Sequence, residues 1–371
     1  MKCSSFVVSK LCRYALVVLV ALLGLAACGG GKPASAPENT ADAPASFRVA
    51  WSIYVGWMPW GYAQDAGIVD KWAARYGIDL KLVQINDYVE SVNQYTAGKF
   101  DGVTAASMDA LTIPAAGGVD TTALIVGDYS NGNDGVVLKG RSALADIKGQ
   151  RVNLPELSVS HYLLARALQS IGLSERDVTV VNTSDADIVG AFQAEGTTAV
   201  STWNPQLAAI LAAPDARLVF DSSKIPGEIL DLLVVNTETL RKHPELGKAL
   251  VGIWYETVAL LQAQTPEGKA AREAMARMSG TDLAGYEAQL RSTYLLDTPA
   301  KAAAFVRDPG LKASTDRVRT FSFEHGLFGA GAKDKDFLGI AFGDGSTLGD
   351  AGNVKLRFDP QYVELAAAGK L

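Results

Sequence analysis

The chain has only three cysteines and three histidines in 371 residues, and the cysteines fall at positions 3, 12 and 28. That scarcity excludes a disulfide framework and leaves too few clustered ligands for a Cys/His zinc site. No dense basic run is present, with 34 Lys and Arg against 40 Asp and Glu and a formal net charge of -6. Nothing therefore offers nucleic acid the positive stripe that phosphate neutralisation requires. The one long apolar run near the start, Tyr14 to Leu25, is short for a bilayer span. The Gly-rich segments DYSNGNDG and FGDGSTLGDAGN lack the ligand order of a calcium loop and the Lys-Ser/Thr pair of a phosphate loop, so both read as turns. No metal and no cofactor is expected.

What the sequence does contain begins with export chemistry. Lys2, Lys10 and Arg13 precede the apolar run, and small residues follow it up to Cys28, the layout of a secretory signal over residues 1–27. Leu25-Ala26-Ala27-Cys28 resembles a bacterial lipoprotein box, in which the thiol accepts the lipid. This implies a periplasmic or cell-surface protein attached to the membrane through Cys28. Cleavage removes three bases and no acid, so the mature chain is more acidic, which favours a cationic or neutral solute slightly over an anion. Residues 28–46 are Gly, Pro, Ala and polar residues without apolar periodicity, the composition of a flexible tether.

From Phe47 onward, short β-rich runs alternate with helical stretches. FRVAWS, DLKLVQI, DGVTAAS and TTALIVGDY read as strands separated by helices near 60–76, 89–97 and 109–115, a βαβαβαβ unit with a parallel sheet. VVLK, RVNL, VTVVN, TAVST and ARLVF form a second α/β unit with helices near 158–171, 185–194 and after Asn204. A further strand at Leu230 to Asn236 leads into helical stretches at 243–264, 266–278, 281–291 and 299–325, so the last third is mostly α. The expected fold is α/β, two lobes joined by two crossovers and closing on a ligand between them, with lobe 1 at 47–135 and 237–371 and lobe 2 at 136–236. In open α/β sheets, ligands gather at the carboxyl ends of strands.

GWMPWGYAQDAGIVDKW, QYTAGKFDGV, DIKGQRVNLPELSVSHYLLARALQSIGLSERDV and DADIVGAFQAEGTTAVSTWNPQ, in that order, resemble the periplasmic solute-binding proteins of ABC importers for sulfonates, nitrate and thiamine precursors. WSIYVGWMPWGYAQDAGIVDKWAARYGI, INDYVESVNQYTAGKFDGVTAASMDALTIPAAGGVD and ALIVGDYSNGNDG are closer to the branch encoded beside urea carboxylase, linked to urea and guanidine. The resemblance implies a non-catalytic capture protein whose partners are a small solute, a permease and its ATPase. It also implies contacts at Tyr54, Trp57 and Trp60, at Ser107 and Asp109, at Asp128, at Ser158, Ser160 and His161, and at Trp203 with Asn204. Enzymes of thiamine-pyrimidine synthesis share the fold, but their Cys-rich motif is missing because no cysteine lies beyond position 28. A membrane-receptor sensor is the other alternative, and sulfonate, nitrate or thiamine-precursor-like solutes are the alternative ligands.

Taken as chemistry, this set combines aromatic faces that attract a delocalised cation with carboxylates that accept its N–H donors. Each member also has a structural role open to it. Trp57 and Trp60 flank Pro59 at a strand-to-helix turn, so one of them is expected in the core. Asp87, Asp109, Ser158, Ser160 and Asn204 stand where helix N-caps are needed. His161 lies in a first helical turn, where a lone histidine is commonly just hydrogen-bonded. Asp128 and Asp231 interrupt buried-looking apolar runs, where an unpaired carboxylate is costly and a cationic ligand or an arginine is implied.

Overall fold

A computed structural model describes residues 44–371, and the expected signal, Cys28 and the tether up to residue 43 lie outside the described residues. The first apolar runs fold as β1 (Ser46–Trp51), β2 (Asp79–Gln84), β3 (Gly102–Ala106) and β4 (Thr121–Ser130). The chain then crosses into a second sheet made of β5 (Asp134–Lys139), β6 (Arg151–Leu154), β7 (Thr179–Asn182), β8 (Ala199–Trp203) and β9 (Ala216–Asp221). It returns through β10 (Leu230–Asn236) and adds β11 (Thr293–Leu295), β12 (Gly339–Ala341), β13 (Thr347–Leu348) and β14 (Val354–Phe358).

The two sheets are the cores of two lobes. The first runs β13-β12-β14-β4-β10-β3-β1-β2, with β11 also paired to β4, and the second runs β7-β6-β8-β5-β9. Strands β3 and β4 are buried nearly throughout because helices cover both faces, which is why they read as continuous apolar runs. Lobe 2 has an additional small core of Val137, Ile188, Phe192, Val200, Leu207 and Ile210 on one face of its sheet.

Four expectations about the elements and lobes need correction. The first sheet is mixed, since β10 comes back from lobe 2 and inserts antiparallel between β3 and β4. Residues 230–236, assigned by the sequence division to lobe 2, are thus hydrogen-bonded into the sheet of lobe 1. The stretch 60–76 is two helices, Met58–Asp65 and Ile68–Tyr76, because Gly67 adopts φ 72° between them. The stretch 299–325 is also two helices, broken where Asp308 caps Pro309–Glu324 by accepting the Gly310 N–H. Strands β12 to β14, by contrast, were not anticipated: two of them are only three and two residues long, too short for alternation to show.

The crossovers lie side by side between the lobes. Ser130 Oγ meets Ser222 Oγ at 2.6 Å and donates to Asp134, while Gly132 N–H donates to Ser222 Oγ at 2.8 Å. Gly132 has φ 106°, a conformation that a side chain would oppose. DYSNGNDG therefore carries the first crossing between the lobes, with Asp134 at its lobe 2 end. Among the described residues no helix is long and apolar enough to cross a membrane.

Candidate functional site

Strand ends from both lobes converge on one small buried cavity. It is lined by Tyr54 and Trp57 after β1, Tyr88 at the start of helix Tyr88–Thr96, Ala106 at the end of β3, Asp134 on β5, Val159 opening helix Val159–Ser170, Trp203 ending β8, and Ile229 with Asp231 at β10. Its volume is about 20 Å³, room for roughly one water. Any larger solute requires the lobes to part. Two larger grooves flank the lobe boundary. The one of 450 Å³ beside Tyr162 and Phe321 contains charges that already have partners, Arg166 and Arg317 on Glu228 and Glu175 on His325. The other, of 530 Å³, runs past Asp185, Gln206 and Gln289.

The cavity wall is aromatic and interlocked across the lobes. Tyr54 and Trp57 meet edge to face at 5.0 Å, Trp57 and Tyr88 are tilted at 5.7 Å, and Tyr88 meets Trp203 of lobe 2 at 5.5 Å and 80°. Ring faces and edges so arranged form a partial cage, the geometry that attracts a delocalised cation.

Behind the rings stand carboxyls. Asp231 lies directly opposite Asp128 in the β10–β4 register, so both side chains project from the same face of the sheet. Tyr54 donates its hydroxyl to Asp128 Oδ1 at 2.8 Å, and Asp128 Oδ2 is buried without a hydrogen-bond partner. Tyr88 donates to Asp109 Oδ2 at 2.5 Å and accepts the Ala106 N–H at 2.9 Å, while Asp109 Oδ1 has no partner. All four carboxyls, Asp109, Asp128, Asp134 and Asp231, are buried. Burial pushes Asp109 and Asp134 up to about 7, against hydrogen bonds from Tyr88 and Val159 on the first and from Ser130 on the second. Burial also raises Asp128 and Asp231, and the neighbouring charge of Asp128 raises Asp231 further. No Lys, Arg or His lines the cavity.

The helix N-terminus facing the cavity is already occupied. Val159 N–H donates to Asp109 Oδ2 at 3.4 Å across the lobes, Ser160 N–H donates to Ser158 Oγ at 3.2 Å, and His161 N–H donates to the Ser158 carbonyl at 2.9 Å. A helix start is a ready anion site, but here this chain's own carboxylate and cap take up its donors.

Of the residues expected at the site, Tyr54, Trp57, Trp203 and Asp231 line the cavity, and Asp128 and Asp109 stand directly behind it. Trp60 is stacked on Trp254 at 5.0 Å, inside lobe 1. Ser107 faces a separate small pocket with Leu111 and Phe358. Ser160 is buried in the first turn of its helix, and His161 accepts the Leu157 N–H and turns toward Glu175. Ser158, Asp87 and Asn204 cap helices by accepting N–H groups from Ser160, Glu90 and Ala208. Tyr88 and Asp134 were not among the expected residues. The signal for Tyr88 was its place one residue after a cap at a strand end, and Asp134 was concealed in a segment read only as a turn.

Residues 66–264, more than half of the chain, match the family profile described as NMT1/THI5 like. The taurine-binding periplasmic protein of Escherichia coli (strain K12) is 28% identical over 224 residues, covering 57% of this chain and 67% of that protein. The alkanesulfonate-binding protein SsuA from Xanthomonas axonopodis pv. citri superposes with a TM-score of 0.63 at 19% identity, covering 78% of this chain and 96% of SsuA. The periplasmic nitrate-binding protein NrtA from Synechocystis PCC 6803 gives 0.55 at 12% identity, over 87% and 98%. The desulfurization enzyme DSZB gives 0.52 at 15% identity, over 76% and 93%. These likenesses establish the two-lobed periplasmic-binding-protein fold, a fold used both for binding and for catalysis.

Proposed function

The chain belongs to the NMT1/THI5-like family, and from that premise we propose that it is the extracytoplasmic solute-binding component of an ABC importer, held at the membrane through Cys28, that captures a small N–H-rich solute of the guanidine or urea type. One observation carries the choice of ligand. The cavity brings aromatic rings and carboxyls together without a single basic side chain, and Asp109 already occupies the helix N-terminus beside it. A planar cation satisfies both features, since the rings face its charge and the carboxylates accept its N–H donors.

Capture follows from the hinge. With the lobes apart, the solute meets the lobe 1 wall of Tyr54, Trp57, Tyr88 and Asp231. Closure brings Trp203 and the start of helix Val159–Ser170 onto its other side and excludes water, which strengthens every polar contact inside. The closed form is then what a permease reads.

The 28% identical taurine-binding relative favours a second reading, a sulfonate-bearing solute whose ammonium end meets the same carboxyls. Thermal shift followed by calorimetry with guanidinium, urea, taurine and nitrate separates the two. A ligand at about 100 times its Kd stabilises by roughly 2.7 kcal/mol. Stabilisation by guanidinium or urea and none by taurine or nitrate is expected; the reverse order would replace the first reading with the second.

A further inference from the structure

Asp128 and Asp231 form a pair that cannot carry two charges in the cavity as it stands. They face each other across β4 and β10, both are buried, and the ionisable groups around them are Tyr54, Tyr88, Asp134 and Tyr286, none of which supplies a positive charge. Two buried like charges at cross-strand distance are relieved by sharing one proton. Tyr54 donates to Asp128 Oδ1 and so stabilises the ionised form of Asp128, which leaves Asp231, at the cavity wall, as the partner holding the proton.

We propose that this shared proton sorts solutes by charge: a guanidinium-type cation displaces it to solvent on binding, whereas a neutral amide binds with the proton retained. The step balances in both directions. With a cation, the O–H bond of Asp231 breaks, the proton leaves to buffer, and the cation's charge compensates the second carboxylate. With urea, Asp231 keeps its O–H and donates it to the urea carbonyl, while Asp128 stays ionised behind it. The inference rests on the guanidine or urea reading above and adds a proton count to it. Cation affinity must then rise with pH while the pair still holds its proton, about tenfold per pH unit for one proton released. Urea affinity must not.

Calorimetry of the whole mature protein at pH 6, in buffers with different ionisation heats, measures that count directly. About one proton released per guanidinium bound and close to none per urea is the expected result. Asp231→Asn should bind guanidinium with release near zero. Saturable guanidinium binding without proton release, or release that survives unchanged in Asp231→Asn, overturns the proposal. Should Asp231→Asn fail to fold, the wild-type proton count and the pH dependence of affinity still decide. Absence of any saturable heat from guanidinium or urea is a different result, since it removes the solute reading itself.

Discussion

At the scale of single residues, Tyr88 shows how one side chain joins packing to recognition. Its ring faces Trp57 and Trp203, and its hydroxyl both donates to Asp109 and accepts from the Ala106 N–H. Tyr88→Phe keeps the ring but leaves two buried polar partners unsatisfied, a loss of about 1–3 kcal/mol each. Thermal unfolding should show the cost, and a variant as stable as wild type would mean that water replaces the hydroxyl. Asp128→Asn tests charge instead, because it keeps the shape and removes one carboxylate. Guanidinium should bind at least a hundredfold more weakly, in line with about 3–5 kcal/mol for losing a buried charge partner, while urea changes much less. Equal losses for both ligands would remove Asp128 from charge recognition. The pair Trp57 and Trp60 marks where sequence stops being informative at this scale. Three residues apart on one helical turn, they carry the same signal, and only the position of Trp254 assigns Trp60 to the core.

At the scale of elements, strands β1 to β10 were legible because each run is short, rich in apolar residues and bounded by turns. Their neighbours were not, since the insertion of β10 between β3 and β4 depends on pairings far apart in sequence. Contacts between elements of different lobes were equally hidden. Helix Val159–Ser170 of lobe 2 faces helix Pro309–Glu324 of lobe 1, with Tyr162 edge-on to Phe321 at 4.8 Å. Glu175 is flanked there by His161 and, at 2.7 Å, by His325 Nε2. His325 Nδ1 lies 2.9 Å from the Phe321 carbonyl, so oxygen atoms face both ring nitrogens. Partial burial raises the Glu175 carboxyl, but the two histidines outweigh it and hold it below its usual range. A depressed folded value means that the contact is intact above the unfolded pKa of about 4.3 and is lost as pH falls through the folded value. Glu175→Gln should therefore loosen closure at neutral pH and weaken every ligand by a similar factor, a few-fold, because it acts on the lobes. A loss confined to one ligand in calorimetry would show that Glu175 touches the solute.

At the scale of the whole molecule, buried carboxyls set how stability depends on pH. Asp109 and Asp134 titrate near 7 when folded and near 4 when unfolded. Between those values the folded chain binds more protons than the unfolded chain, so stability falls as pH rises through the window. The sign is opposite to that of an acid protein held by ion pairs, and Asp128 with Asp231 acts in the same direction. Surface carboxylates such as Glu238, held down to about 2 by Arg241 and Lys242, contribute stability that is lost only as pH falls toward that value, so the optimum of the free protein lies on the acid side of neutrality. A drop in Tm of at least about 5 °C between pH 5 and pH 7.5 is expected, given the few kcal/mol involved and the size of the chain. Millimolar guanidinium should restore most of that loss at pH 7.5 and add little at pH 5, since a cation stabilises the ionised cluster and competes with protons for it. Scanning calorimetry of the free and liganded protein at both pH values measures this. A free protein with the higher Tm at pH 7.5 would mean that the cluster is already neutralised by a group other than a proton.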